Sequence, residues 1–151
     1  MIMPNNVDTI KIIARNKRAE FQYEIFDKYE TGIVLTGQEV KSIREGKVAF
    51  SDSYVEANKL ELFLVGFNIS LYLNSKANPD RRRKLLLHRA EINKIIGKIN
   101  EKGYTLIPLS IYLNKNLVKL SIGLAKGKTK YDKRIKIKER EMKREIKEAR
   151  W

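Results

Sequence analysis

Thr105-Leu106-Ile107-Pro108-Leu109-Ser110-Ile111-Tyr112-Leu113, followed after Asn114-Lys115-Asn116 by Leu117-Val118-Lys119-Leu120-Ser121-Ile122-Gly123-Leu124-Ala125, is the stretch that decides the fold. Val118, Leu120, Ile122 and Leu124 fall at every second position, so they share one face of an extended strand. The same period appears upstream. Phe21, Tyr23 and Ile25 alternate with Gln22 and Glu24, which predicts an extended segment over residues 21–35, punctuated by Gly32 and Gly37. Residues 53–57 and 60–69 form a second predicted hairpin around Asn58-Lys59. Two helices interrupt the strands. Residues 38–45 place Val40 and Ile43 toward a core and Lys41 and Arg44 away from it, with Gly46 as the terminating glycine. Residues 89–102 carry Ile92, Ile95, Ile96 and Ile99 in one stripe and close at Gly103. Asn78-Pro79 marks a turn in a loop over residues 74–80. The order predicts a mainly β protein with inserted helices. A small antiparallel OB-type barrel would leave its strands without open edges.

Charge bears on function first. The 151 residues hold 32 Lys+Arg against 18 Asp+Glu, a net +14, and the sequence pI is about 9.9. That excess is the footprint of a protein that meets nucleic acid, with counterion release from phosphates supplying affinity. The plainer reading is a soluble basic protein with no such partner. The charge is unevenly spread. From Lys128 onward there are eleven Lys/Arg and five Asp/Glu, a net +6. The apolar pattern stops at Ala125-Lys126-Gly127-Lys128, which divides the chain into a flexible N-terminus (1–8), an OB-type RNA-binding barrel (9–127) and a basic tail (128–151). In the tail, Ile135, Met142, Ile146 and Ala149 fall near one helical face, and Glu139 with Lys143 and Glu141 with Arg144 are favourable pairs. With so thin a stripe, an isolated helix is marginal in water. The tail is expected to be disordered alone and helical when bound to a charged partner.

Other features narrow the chemistry. There is no cysteine, so disulfides, Cys-ligated zinc and a thiol nucleophile are excluded. His88 is the only histidine, which excludes a His-rich metal site. Its place just before a predicted helix suits a ring that satisfies local backbone groups. Asp52 and Glu56 hint at metal-dependent cleavage but stand in no recognisable motif, and no phosphate-binding glycine loop is present. No catalytic residue, metal or cofactor is expected. Residues 1–6 have no cationic leader before an apolar core, so no signal peptide is expected. No apolar run approaches the ~20 residues of a membrane span. A cytoplasmic monomer with no membrane partner follows.

The segment Arg81-Arg82-Arg83-Lys84-Leu85-Leu86-Leu87-His88 admits two readings. It is a solvated loop entering a buried strand, with Leu85 and Leu87 inward and Lys84, Leu86 and His88 outward. The functional reading uses the same alternation: the segment's cations engage phosphates while an exposed Leu86 packs on an unstacked base or sugar.

Several motifs together carry a family resemblance: Asn16-Lys17-Arg18-Ala19; Glu30-Thr31-Gly32-Ile33-Val34-Leu35-Thr36-Gly37-Gln38-Glu39-Val40-Lys41-Ser42; Ser51-Asp52-Ser53-Tyr54-Val55; Arg83-Lys84-Leu85-Leu86-Leu87-His88; Gly123-Leu124-Ala125-Lys126-Gly127-Lys128; and Tyr131-Asp132-Lys133-Arg134. In this order and spacing, from about Ile13 onward, the chain resembles the tmRNA-binding protein of trans-translation (small protein B, or SsrA-binding protein). The resemblance implies an OB-type barrel that binds the tRNA-like domain of tmRNA. It also implies delivery to stalled ribosomes for rescue and peptide tagging, with the tail in the empty mRNA channel near the decoding centre. Carried over by position, it implies tmRNA binding by Asn16, Lys17, Arg18, Glu30, Lys84, Leu86, Lys126 and Lys128. It implies ribosome contact by Tyr131, Asp132, Lys133, Arg134 and Lys138 in the tail. Thr129 stands where the family usually has lysine, and Asp80-Arg81 varies a proline-arginine pattern. A general structured-RNA-binding or ribosome-associated OB factor is the alternative, and an RNA-processing enzyme is a third reading.

Overall fold

The computed structural model describes residues 10–71 and 78–128. Its elements run β1 (Ile10–Arg15), α1 (Lys17–Gln22), β2 (Tyr23–Ile33), α2 (Gly37–Arg44), β3 (Val48–Ala49), β4 (Tyr54–Asn58), β5 (Glu61–Val65), β6 (Asn68–Ile69), β7 (Arg83–Leu86), α3 (Arg89–Lys102), β8 (Thr105–Asn114) and β9 (Leu117–Gly127). All pairings are antiparallel. Because β8 pairs with both β4 and β9, the order β8-β4-β5-β7-β2-β9 closes on itself into a barrel. β1 lies along the far half of β8, from Ile10 opposite Asn114 to Arg15 opposite Ser110. The expected mainly β, OB-type barrel with inserted helices is the fold observed.

Alternation fills the interior. Leu120, Ile122 and Leu124 of β9 join Leu62, Leu64, Leu85, Leu106 and Ile111 in the main core, each almost wholly buried. From α3, Ile95 enters this core fully buried, and Ile99 packs on its margin. Lys115 and Asn116 both take positive φ, the geometry of a tight hairpin turn between β8 and β9. A second, smaller cluster forms on the opposite face of the same strands from Ile107, Leu109 and Ala125, with Ala19 of α1 over it and Tyr23 and Ile25 beside it.

Four sequence expectations need correction. The extended segment does not begin at Phe21, because residues 17–22 are helical. Asn16 caps that helix by accepting from the Ala19 amide at 3.2 Å, and docking of Ala19 holds the short helix where propensity alone would not. Residues 60–69 are not one strand. The chain breaks at Gly66, with φ +77, and β6 leaves β5 to pair with β3. The hairpin turn lies at Lys59-Leu60, since Asn58 pairs with Glu61. His88 precedes α3 but makes no side-chain cap hydrogen bond.

The buried polar centre is the Glu39–Arg83 pair. Thr36 and Glu39 form a capping box at the start of α2, the Glu39 carboxylate accepting from the Thr36 amide at 2.9 Å. That carboxylate also accepts from Arg83 Nε at 2.7 Å and from Arg81 Nη2 at 2.5 Å, and Arg83 Nη2 lies 2.6 Å from it. Arg83 is fully buried. Its remaining donors reach the carbonyls of Phe67 (2.7 Å), Arg81 (2.9 Å) and Pro79 (2.8 Å). Every guanidinium N–H therefore finds an acceptor, which a buried arginine requires. Burial works to raise the Glu39 pKa, but the hydrogen bonds from Arg81, the Thr36 amide and Arg83 outweigh it and hold the carboxyl below its ordinary value.

Two outcomes follow. Glu39→Gln should cost about 3–5 kcal/mol in urea unfolding at pH 7, because it leaves the buried Arg83 charge uncompensated. Glu39 has a lower pKa folded than unfolded, so its contribution is complete above the ordinary value of 4.5 and is lost as pH falls through the folded value. The gap between parent and variant should thus narrow in acid; equal stability at pH 7 would refute the assignment. In the second cluster, a Cβ on Gly123 would lie 3.0 Å from Leu109 Cδ1 and 3.3 Å from Ile25 Cγ2. Gly123→Ala should therefore destabilise by about 1–3 kcal/mol in the same measurement.

Candidate nucleic-acid interface

The pleat that buries Thr31 and Leu85 turns their neighbours outward. On β2 this exposes Lys28 and Glu30; on β7 it exposes Lys84 and Leu86. Register then assembles one outer row: Ile12 of β1 opposes Tyr112 of β8, Tyr112 opposes Lys119 of β9, Lys119 opposes Gly32 of β2, and Gly32 opposes Leu86 of β7. Leu86 is half exposed and lies against the bare Gly32, where a Cβ would come within 3.3 Å of its own. Glu30 opposes Ser121 and accepts a hydrogen bond from the Tyr112 hydroxyl. Burial, and then that bond to the carboxylate, push the Tyr112 phenol well above its ordinary pKa, so the phenol stays protonated and donates. Glu30, Leu86 and Lys84 thus share a face that combines an acceptor, an apolar surface and cations, a set suited to bases and sugars as well as phosphates.

The remaining expected residues sit at the other end of β2. Asn16 is buried, and besides capping α1 its Nδ2 donates to the Pro108 carbonyl at 2.8 Å while its amide donates to that of Leu109 at 2.8 Å. It pins α1 to β8 and leaves Lys17 and Arg18 exposed. The Arg18 guanidinium pairs with Asp52 at 2.9 Å, both side chains mostly in solvent, across a cleft also lined by Ser53 and Tyr54. Lys126 opposes Glu24 and holds its ammonium 4.8 Å from the centre of the Tyr104 ring. The Lys128 amide donates to the Gln22 carbonyl at 2.9 Å and its ammonium to the Glu20 carbonyl at 3.4 Å, so this cation meets the C-terminal end of α1. Glu30 lies six positions beyond Glu24 on β2, roughly 20 Å at about 3.3 Å per residue. The expected site residues therefore form two groups: Glu30, Leu86 and Lys84 at one end, and Asn16, Lys17, Arg18, Lys126 and Lys128 at the other. Tyr131, Asp132, Lys133, Arg134 and Lys138 lie outside the described residues, and so do the segments for which a flexible N-terminus and a tail disordered alone and helical when bound are expected.

The run of cations at residues 81–84 is not uniformly open to solvent. Arg83 is interior. Arg81 pairs with Glu39, Arg82 lies 3.8 Å from the centre of the Phe63 ring and 3.7 Å from Glu56, and Lys84 lies 3.8 Å from Glu61. The alternation that both readings share is the geometry seen, and it is what presents Lys84 and Leu86. Asp52 and Glu56 each serve an arginine, and among the described residues no group of three or more His, Asp or Glu is placed to hold a metal. Tyr112 and Gly32 were not singled out as site residues from the sequence. Their place became visible only once the strand register was known.

Comparison with known proteins agrees with this architecture. A sequence model of the family described as SmpB protein matches residues 13–150. The SsrA-binding protein of Halothermothrix orenii is 50% identical over 145 residues, covering 94% of each chain. That of a Nitratiruptor species is 53% identical over 147 residues, covering 93% of this chain and 97% of its own. A solved structure described as "tmRNA-SmpB: a journey to the center of the bacterial ribosome" superposes with a TM-score of 0.65 at 44% identity, covering 78% of this chain and 85% of the other. With the family pattern spanning nearly the whole sequence and relatives half identical over the same length, the chain belongs to the SmpB protein family.

Proposed function

We propose that the protein binds tmRNA and acts in trans-translation on the ribosome, as an RNA-binding factor and not as an enzyme. The observation that carries the reading is the outer row of Tyr112, Lys119, Gly32 and Leu86, with Glu30 bonded to it through Tyr112, on a family-matched barrel. On this reading the tRNA-like domain lies on the barrel, residues 9–127. Leu86 packs on an exposed base or sugar, Glu30 accepts from a base amine or ribose hydroxyl, and Lys84 meets phosphate. Asn16 contributes by fixing α1, so that Lys17 and Arg18, with Lys126 and Lys128 beside them, make a second basic contact. Residues 128–151 form the basic tail, which occupies the empty mRNA channel and reaches the ribosome through Tyr131, Asp132, Lys133, Arg134 and Lys138. No helix among the described residues is long and apolar enough to cross a membrane. The protein works as a cytoplasmic monomer, and no cofactor enters the reading.

A salt series of tmRNA affinities separates the roles on the barrel. Glu30→Ala should cost roughly 1–3 kcal/mol, since it removes an acceptor opposite a desolvated donor, with little change in salt slope. Leu86→Asp should lose affinity most at low salt, because its new charge faces phosphates and is screened as salt rises. Lys84→Ala should flatten the slope by about one phosphate contact. Parental affinity for both Glu30→Ala and Leu86→Asp, with the fold intact, would place the RNA elsewhere.

Truncation after Lys130 separates the tail from the barrel. Affinity for tmRNA should stay within a few-fold of the parent, while peptide tagging on stalled ribosomes is abolished. Full tagging by the shortened protein would overturn the proposed role of the tail.

A further inference from the structure

We propose that Tyr112 is a positioning residue for RNA recognition, aiming the Glu30 carboxylate at a hydrogen-bond donor of the RNA. The inference rests on the reading that the outer strand face holds the RNA, and it assigns a role that composition and motifs do not suggest.

Tyr112 and Glu30 are not on neighbouring strands. Tyr112 lies on β8 and Glu30 on β2, with β9 between them. Two strand spacings, about 9–10 Å, separate the backbones. The span is bridged because both side chains are long and Ser121, which opposes Glu30 on the intervening strand, is short. The phenol itself is anchored. Tyr112 is half-buried, between Ile12 on β1 and Lys119 on β9.

The chemistry of the pair is specific. A lysine or arginine beside Glu30 would orient it but also cancel its charge. A protonated phenol donates one hydrogen bond and leaves the carboxylate negative. The bond uses Oε2, and no other hydrogen bond or ion pair holds Glu30 among the described residues, so Oε1 remains open to a ligand. A free glutamate loses side-chain entropy when it is fixed by a ligand. Tethered by Tyr112, it has lost part of that freedom beforehand, which is how preorganisation raises affinity. The group accepted must be a donor, either a base amine or imino N–H or a ribose 2′-hydroxyl, because phosphate oxygens are repelled. Glu30 thereby selects against backbone contact at its own position, within a face whose other charges attract it.

The test is a double-mutant cycle with the full-length protein and a transcript of the tRNA-like domain of tmRNA. Tyr112→Phe should weaken binding roughly three- to tenfold, with the salt slope and melting temperature of the parent. In a Glu30→Ala background the same substitution should have no further effect. Equal losses in both backgrounds, with or without a lower melting temperature, would show that Tyr112 acts on its own account and would overturn the inference while leaving the RNA face in place. Unchanged binding by Tyr112→Phe would overturn it as well. If Glu30→Ala alone binds like the parent, Glu30 meets no RNA donor and the inference fails; the RNA face itself fails only if Leu86→Asp binds like the parent as well.

Discussion

Burial of one arginine governs the geometry of the outer face. Arg83 enters the barrel between Glu39 and three backbone carbonyls. A one-residue slip of β7 would expose Arg83 and Leu85 and send Lys84 and Leu86 inward. An unpaired ammonium inside the core is far costlier than any rearrangement of surface contacts. The ion pair therefore fixes which side of β7 faces solvent, and so fixes the exposure of Leu86. It also ties α2 to the turn before β7, because Glu39 belongs at once to the helix cap and to the pair. Such a pair adds little net stability over an apolar equivalent. Its value here lies in register.

Register in turn explains two odd residues on the face. A glycine within a strand weakens it by removing side-chain packing. Gly32 has a compensating use, since the space above it is filled by Leu86 from the neighbouring strand. An acid on a basic face is equally unexpected. Glu30 is accommodated because Tyr112, a neutral donor, satisfies it without drawing in a lysine. Both residues read as defects in a linear sequence and as parts of a surface once β2, β7, β8 and β9 are aligned.

The barrel was legible because strands alternate and the alternation of β9 is nearly unbroken. Helices α2 and α3 were legible from the same kind of signal, with Ile92, Ile95, Ile96 and Ile99 marking α3. What was not legible depended on contacts between distant segments. β1 has weak alternation and exists because β8 offers it an edge. α1 hides inside an alternating run, since Phe21 continues the period of Tyr23 and Ile25 while being exposed on a helix. Within the candidate site, the outward pointing of Lys84 and Leu86 followed from period alone, whereas Arg83 could not be told from its cationic neighbours. Its partner is forty-four residues away, on an element whose own pattern gives no sign of a buried acid.

Those paired cations change what the net charge means. Arg18, Arg82 and Lys84 each stand near an acid, Asp52, Glu56 and Glu61, with their side chains largely in solvent. Exposed pairs of this kind contribute at most about 1 kcal/mol each, so a phosphate displaces the acid at little loss. Each exchange still has a consequence. The cation that meets the phosphate was already partly neutralised, and the released carboxylate must be rehydrated or turned away from the RNA. The barrel therefore gains less from bare charge than a count of its lysines and arginines suggests. On the proposed RNA face, discrimination among RNAs would then fall to the contacts that charge does not supply, the apolar surface of Leu86 and the carboxylate of Glu30. The run beyond Lys128 has the complementary composition, with cations in excess and few apolar residues. In the proposed role of the tail, binding would be dominated by counterion release, which suits a segment that is to engage a polyanion without reading its sequence.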